Sequence, residues 1–295
     1  ESEKKREKRN RLFLQGGIAL IVVAVLGIVA LVLTQTMKPA GPGPANMISG
    51  GVTFGEDLKV VKTKALQPET QREPLKQDWE TNPVDVTVYV DYMCPACGNF
   101  EAQNGTMLEQ FAGSGDVELT VFPINFLDGQ SLGAKYSPRA ANILSCVVDQ
   151  QPDSAFALHN RLLSQGVQPA EGTTGLTDEQ LLENAEAAGA TLNTELKQCV
   201  KDVRFAGFIN SNYKQVSEVG ILGLAKGAQL MNPQTNSLVP ADEPQRLMST
   251  PTVIVNGQQW VEGRDGALEQ FILKLKSEAD GTTKKEDANA ETPAE

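Results

Sequence analysis

Two cysteines separated by Pro-Ala, Cys94-Pro95-Ala96-Cys97, are the residues in this sequence best suited to chemistry. The run at 84–90 alternates apolar and polar residues, which predicts a strand, and the residues after Cys97 have helical spacing. At such a strand-to-helix junction, the free N–H groups of the first helical turn and the helix dipole favour the thiolate of Cys94 over its thiol. Cys97, one turn further along, is placed to attack a mixed disulfide formed by Cys94. The pattern therefore predicts a redox dithiol.

Two other interpretations of the Cys-x-x-Cys motif stay open on the sequence alone: half of a zinc site, and a purely structural disulfide. A structural zinc site needs a second cysteine pair or histidines close by. The chain has four cysteines and one histidine, and its other cysteines, Cys146 and Cys199, are far apart in sequence. We therefore predict no metal site. The single histidine, His159, is expected on a helix surface or in packing.

Charge distribution predicts where the chain resides. With 26 basic and 37 acidic side chains the formal charge is −11, which argues against nucleic acid as the main partner. Residues 1–11 are rich in Lys and Arg, whereas 12–37 carry no charge and are long enough to cross a bilayer as a helix. We predict a basic cytoplasmic flank at 1–11, a transmembrane anchor at 12–37 and an extracytoplasmic body. A cleaved signal peptide is the alternative, although its apolar region is usually shorter, about 7–15 residues.

The rest of the sequence predicts strands on either side of a long helical stretch. Strand signals occur at 84–90, 117–122 and 252–255, the last followed by the hairpin turn Asn256-Gly257. Ser137-Pro138 and a capping box from Thr177 to Gln180 predict helix starts between them. We predict an α/β fold with an all-α insertion, divided into a linker (38–45), a first part (46–130), the insertion (131–219), a second part (220–279) and a disordered tail (280–295).

With these elements placed, the chain resembles the thioredoxin-fold thiol–disulfide oxidoreductases of the DsbA type, in the membrane-anchored form found in Gram-positive and actinobacterial envelopes. The resemblance rests on the dithiol stretch at 91–97, the strand stretch at 249–257, and insertion stretches at 146–163 and 195–199. It implies a thioredoxin fold with a cis peptide at Thr250–Pro251 that faces the two sulfurs. Because proline lacks an N–H, the strand edge beside the dithiol would stay open for a substrate backbone.

The resemblance also assigns roles around the dithiol: Cys94 and Cys97 are catalytic, and Pro95, Ala96, Thr250 and Pro251 modulate them or line the substrate groove. Related proteins often carry a buried carboxylate six residues before the first cysteine, a position that is Val88 here. Glu101 matches an acidic position of DsbA-type proteins, but we expect it on a solvated helix face. Asp91 either modulates Cys94 or is an exposed loop acid. The segment 221–247, longer than usual, either covers the groove or is a surface loop.

Cys146 and Cys199 lie on the apolar faces of predicted helices, so both point into the helical block. In an oxidising compartment we predict that they form a structural disulfide. Buried free thiols and a second redox pair are the alternatives.

These observations predict an extracytoplasmic oxidase that introduces disulfides into exported proteins and needs no bound cofactor. The expected partners are reduced or unfolded exported proteins and the cell membrane. The resemblance also implies a membrane reoxidant of the DsbB or vitamin K epoxide reductase type. Two alternatives remain: a reductase or isomerase, as in cytochrome c maturation, and a membrane-anchored binding or chaperone module whose Cys94–Cys97 bond is inert. The intervening Pro-Ala does not decide the direction of electron flow.

Overall fold

The computed structural model describes residues 41–75 and 83–278 of the 295-residue chain. The predicted cytoplasmic flank (1–11), transmembrane anchor (12–37) and disordered tail (280–295) lie outside these residues. Among the described residues, no helix combines the length and the apolar character needed to cross a membrane.

A mixed β-sheet carries the fold. Within the described chain it has five strands in the order β1-β3-β2-β6-β7: β1 (Val52–Phe54), β2 (Val84–Val90), β3 (Val117–Pro123), β6 (Thr252–Val255) and β7 (Gln258–Trp260). The central pair β2 and β3 is parallel, and the other neighbours are antiparallel. Two short strands, β4 (Met231–Asn232) and β5 (Ser237–Leu238), pair separately. The turn between β6 and β7 has positive φ at both Asn256 and Gly257, which confirms the predicted hairpin.

The helices are α1 (Pro95–Gly113), α2 (Tyr136–Gln150), α3 (Ala155–Leu163), α4 (Asp178–Ala187), α5 (Thr194–Lys201), α6 (Ala206–Lys214), α7 (Glu262–Asp265) and α8 (268–278). Helices α2 to α6 and a π-helical turn at Gln215–Val219 all lie within 131–219, the stretch that the sequence predicts to be helical. The capping box of Thr177 and Gln180 is present at the start of α4. The predicted cap at Ser137 is wrong, because α2 already begins at Tyr136 and the Ser137 hydroxyl bonds elsewhere.

Strand β2 is buried on both faces. Its valines at 84, 86, 88 and 90 pack in the main core with α1 and the helical insertion, as the period of two requires. On the opposite face, Tyr89 packs with Phe122 of β3 and Ile254 of β6 in a second apolar cluster. The segment 221–247 supplies Ile221, Leu230, Val239 and Leu247 to that cluster. The segment is therefore packed onto the sheet.

The helical insertion has its own covalent link. Cys146 of α2 and Cys199 of α5 form a disulfide with an S–S distance of 2.00 Å, and both residues are fully buried. The predicted pairing is confirmed. Asn142 of α2 strengthens the same contact, since its amide donates to the Cys199 carbonyl and its oxygen accepts from the Phe205 N–H.

Candidate active site

The dithiol lies at the N-terminus of α1, directly after the loop that leaves β2. Cys94 is the N-cap residue and Pro95 occupies the first helical position, where a missing N–H costs nothing. The Cys94 carbonyl accepts from the N–H groups of Cys97 and Gly98 at 3.0 and 3.2 Å. Both cysteines are free thiols, Cys94 being 7% exposed and Cys97 fully buried. Pro95 and Ala96 are exposed, so the surface of the motif consists of these two residues and an edge of Cys94.

The environment lowers the pKa of Cys94 from 9.0 to about 6. The main cause is a hydrogen bond from the Cys97 thiol, and the side chain of Thr250 and the amides of Ala96 and Cys97 add to it against the cost of burial. These groups stabilise the thiolate as a helix N-terminus does in other reactive cysteines. At neutral pH, Cys94 is therefore largely ionised in the dithiol form.

The same geometry acts in the opposite direction on Cys97. Burial, and then the hydrogen bond with the neighbouring Cys94 sulfur, raise the pKa of Cys97 well above 9.0. The two cysteines are only three positions apart, yet the pKa of Cys94 favours its thiolate and the pKa of Cys97 favours its thiol. Cys94 is therefore suited to act as nucleophile or leaving group, and Cys97 is suited to act as the resolving thiol.

The residues that lead into β6 lie next to the Cys94 sulfur. The Thr250–Pro251 peptide bond is cis, as the resemblance implies. The Cys94 sulfur lies 3.3 Å from the Thr250 carbonyl oxygen, so the residues that lead into β6 face the dithiol. The structure therefore brings together residues that are 156 positions apart in sequence.

Asp91 is fully buried, so its interpretation as an exposed loop acid is wrong. Its carboxylate accepts from the N–H of Met93 at 2.8 Å, the N–H of Leu127 at 2.7 Å and the hydroxyl of Ser137 at 2.7 Å. Burial raises the pKa of Asp91 to about 6, although these hydrogen bonds oppose the rise. Asp91 thus joins the loop before Cys94 to the first turn of α2.

Glu101 is not on a solvated helix face, and that prediction is wrong. Its side chain is 14% exposed, and its Oε2 lies 3.6 Å from Nε2 of His159. The other ring nitrogen of His159 shares a 3.0 Å hydrogen bond with the hydroxyl of Tyr92, two residues before Cys94. His159 is 3% exposed, which confirms a packing role. Glu101, His159 and Val88 line a cavity of about 10 Å³, roughly the volume that one water molecule needs.

Sequence reasoning missed Tyr92, Ser137 and Gln168 as neighbours of the dithiol. Gln168 follows α3 and donates from its amide to the backbone of the dithiol loop. Their contact partners are 46 to 76 residues away along the chain, and no local pattern marks such pairs. The sequence offered one signal for such neighbours, the carboxylate of Asp91 three residues before Cys94. If that carboxylate is buried, other parts of the chain must supply its hydrogen-bond donors.

Comparisons with known proteins agree with this geometry. Residues 80–223 match a family model described as thioredoxin. Among curated proteins, the chain is 27% identical over 110 residues to the serine/threonine-protein kinase PknE of Mycobacterium tuberculosis. That alignment covers 37% of this chain and 19% of the kinase, so the chain spans about a fifth of the length of this relative.

Solved structures match over more of the chain. Oxidised DsbA of Mycobacterium tuberculosis is 24% identical, with a TM-score of 0.51 over 78% of this chain and 92% of the other. Oxidised BdbD of Bacillus subtilis is 19% identical, with a TM-score of 0.50 over 82% and 100% of the two chains. At these identities the likeness establishes the fold. The chain therefore has the thioredoxin-type α/β fold of these two structures, and its residues 80–223 match the thioredoxin family model.

Proposed function

We propose that this chain is an extracytoplasmic thiol:disulfide oxidoreductase that introduces disulfides into exported proteins through Cys94 and Cys97. The observation that carries the proposal is the difference between the two sulfurs. Cys94 is partly accessible at a helix N-terminus with its pKa lowered to about 6, and Cys97 is buried directly behind it. An accessible, stabilised thiolate with an adjacent resolving thiol is what disulfide exchange requires.

In the first step a substrate thiolate attacks the Cys94 sulfur of the Cys94–Cys97 disulfide. The bond between Cys94 and Cys97 breaks as the substrate–Cys94 bond forms. Cys97 leaves with the electron pair and takes up a proton, since burial raises the pKa of Cys97. The product is a mixed disulfide between the substrate and Cys94.

In the second step another thiolate of the substrate attacks the substrate sulfur of the mixed disulfide. The substrate gains its disulfide, and Cys94 leaves as a thiolate. A thiolate of low pKa is a good leaving group, which makes the Cys94–Cys97 disulfide an oxidant. The substrate loses two electrons, and the protein ends with Cys94 and Cys97 reduced.

The same proposal places the dithiol outside the cytoplasm, next to the membrane. Support comes from the basic residues at 1–11 and the uncharged, apolar residues at 12–37. The reduced protein then needs an electron acceptor, and we propose a membrane reoxidant of the DsbB or vitamin K epoxide reductase type. Protease added to intact spheroplasts should digest the body of the chain, and protection of that body would contradict this location.

The test is anaerobic refolding of a reduced, multi-cysteine secreted protein by the oxidised full chain. We expect recovery of native substrate in proportion to the oxidised protein added, and no recovery with Cys94→Ala. Cys97→Ala cannot form the Cys94–Cys97 disulfide and should also give no recovery. When it is mixed instead with a substrate that already contains a disulfide, its Cys94 thiolate should attack that disulfide, release one substrate thiolate and stay bound as a mixed disulfide, which non-reducing electrophoresis and mass spectrometry detect. Recovery that survives Cys94→Ala would show that the site is elsewhere.

Two further measurements separate the alternatives. Alkylation of the reduced protein at pH 6 should be rapid at Cys94, and slow labelling there would favour an inert binding module. Equilibration with glutathione buffers gives the reduction potential. A potential as low as that of thioredoxin would favour a reductase.

A further inference from the structure

The side chain of Gln168 contacts the backbone of the dithiol loop at two points. Its Nε2 donates to the Cys94 carbonyl over 2.9 Å and to the Tyr92 carbonyl over 3.3 Å. A primary amide has two N–H groups, so it can make both bonds at once. The amide therefore bridges the two residues on either side of Met93.

Gln168 itself is held in place by the turn that follows α3. The carbonyl of Ser164 accepts from the N–H groups of Val167 and Gln168 at 3.2 and 3.0 Å. Gly166 occupies this turn with φ of 84°, a conformation that glycine adopts without steric cost. The side chain thus extends toward Cys94 from a fixed backbone.

The first turn of α1 leaves room for this amide. A Cβ atom at Gly98 would lie 2.1 Å from the Gln168 Oε1 atom and 3.2 Å from the Leu163 carbonyl oxygen. Both distances are shorter than ordinary contacts, so any side chain at this position displaces Gln168. Glycine at position 98, which lowers the helix propensity of α1, therefore has a packing reason.

We propose that Gln168 is a positioning residue of the redox site. Its amide fixes the Cys94 peptide by bridging the Tyr92 and Cys94 carbonyls, in the space that Gly98 leaves open. This proposal rests on the proposed function, because it concerns how the Cys94 thiolate is held. Three donors converge on the Cys94 carbonyl: the Gln168 amide and the N–H groups of Cys97 and Gly98. Without Gln168 the Cys94 carbonyl keeps only its two helical donors, and the sulfur is held less firmly toward the amides of the first turn.

The test measures the rate of Cys94 alkylation against pH in the reduced full chain. Gln168→Ala should move the profile to higher pH and slow the reaction at pH 6 by about threefold. Gln168→Glu should move it further, because a carboxylate cannot donate and repels both the carbonyls and the thiolate. Gln165→Ala is the matched control, an exposed glutamine of the same turn, and should leave the profile unchanged.

Gly98→Ala gives an independent check by displacing the amide while Gln168 remains in the sequence. It should reproduce the shift of Gln168→Ala, and the double variant should add little to either single change. Thermal unfolding of each variant shows whether the fold is retained. A shifted profile with an unchanged melting temperature supports positioning, since loss of packing alone would change the melting temperature and leave the profile in place.

Two results would overturn the proposal, and they are distinguishable. If the wild type reacts rapidly at pH 6 and both Gln168 variants match it, Gln168 has no positioning role and the proposed function stands. If the wild type itself reacts slowly at pH 6, the reactive thiolate is absent and both proposals fail together.

Discussion

The two cysteine pairs of this chain have the same atoms and opposite environments. Cys94 and Cys97 are three positions apart at the start of one helix, where Cys94 is 7% exposed and Cys97 is fully buried. Cys146 and Cys199 come from the middle of α2 and the end of α5, are 53 positions apart, and are both fully buried. In the structure the first pair is reduced and the second is a disulfide.

The comparison shows which features make a disulfide reactive. Exchange requires access for a thiolate and a leaving group of low pKa, and Cys94 has both. Cys146 and Cys199 have no accessible surface for an attacking thiolate to approach. Position in the fold, and not the cysteine itself, therefore separates the pair for which we propose redox chemistry from the pair that links two helices.

The largest expected effect is the loss of stability when the Cys146–Cys199 disulfide is removed. The double variant Cys146→Ala/Cys199→Ala removes a crosslink between residues 53 positions apart, and chain-entropy arithmetic gives a loss of about 4 kcal/mol in the free energy of unfolding. Urea denaturation of wild type and variant measures it. The pH profile of Cys94 alkylation should be the same in both proteins below the transition. A variant that kept full stability would contradict a structural role.

Asp91 tests how far the redox pair depends on the insertion. Asp91→Ala removes the acceptor of the buried Met93 N–H and Ser137 hydroxyl and of the half-buried Leu127 N–H, so we expect a loss of about 3 kcal/mol. Ser137→Ala removes one of these bonds and should cost about 1 kcal/mol. Asp242→Ala, at an exposed position, is the control and should change stability by less than about 0.5 kcal/mol. Equal effects at 91 and 242 would rule out this network.

The smallest expected effect is the pH dependence of stability that Cys94 contributes to the reduced protein. The folded pKa of Cys94 is about 6, below its ordinary value of 9.0, so the thiolate stabilises the reduced fold. This contribution is complete above pH 9 and is lost as the pH falls through 6. A lowering of this size corresponds to about 4 kcal/mol at most, and solvent screening near the surface reduces the expected gain to about 2 kcal/mol.

The measurement is the difference in unfolding free energy between the reduced wild type and Cys94→Ala, from pH 6 to pH 9. The reductant must leave the Cys146–Cys199 disulfide intact, which mass spectrometry verifies. Asp91, whose pKa is raised to about 6 from 3.8, destabilises the fold as the pH rises from about 4 through 6. Its contribution is present in both proteins and cancels. A difference that does not rise with pH would contradict the lowered pKa of Cys94.

Local patterns were enough to predict the framework. The alternation at 84–90 predicts β2, Asn256-Gly257 predicts the β6–β7 hairpin, and Thr177 with Gln180 predicts the start of α4. Each depends on contacts within a few residues or on a single periodicity. The Cys94–Cys97 motif belongs to the same class, because its chemistry follows from its place between β2 and α1.

The surroundings of the site could not be predicted in the same way. Glu101 is polar and lies on a helix, so a solvated position was the expected one, but α3 brings His159 against it. Asp91 is buried because Ser137 and Leu127 reach it from distant parts of the chain. Such pairings depend on how helices pack over the sheet, and a single sequence gives no record of that packing.

The helical insertion touches the dithiol loop at three places, through Ser137 on Asp91, His159 on Tyr92 and Gln168 on the Cys94 carbonyl. A truncated protein made only of the sheet, α1 and α8 would expose a carboxylate, a phenol and two carbonyls that have partners in the full chain. Such a minimal domain would keep both sulfurs and lose the frame around them. The helical insertion therefore supplies three of the contacts that hold the proposed redox site, and a shortened domain without it would lose all three.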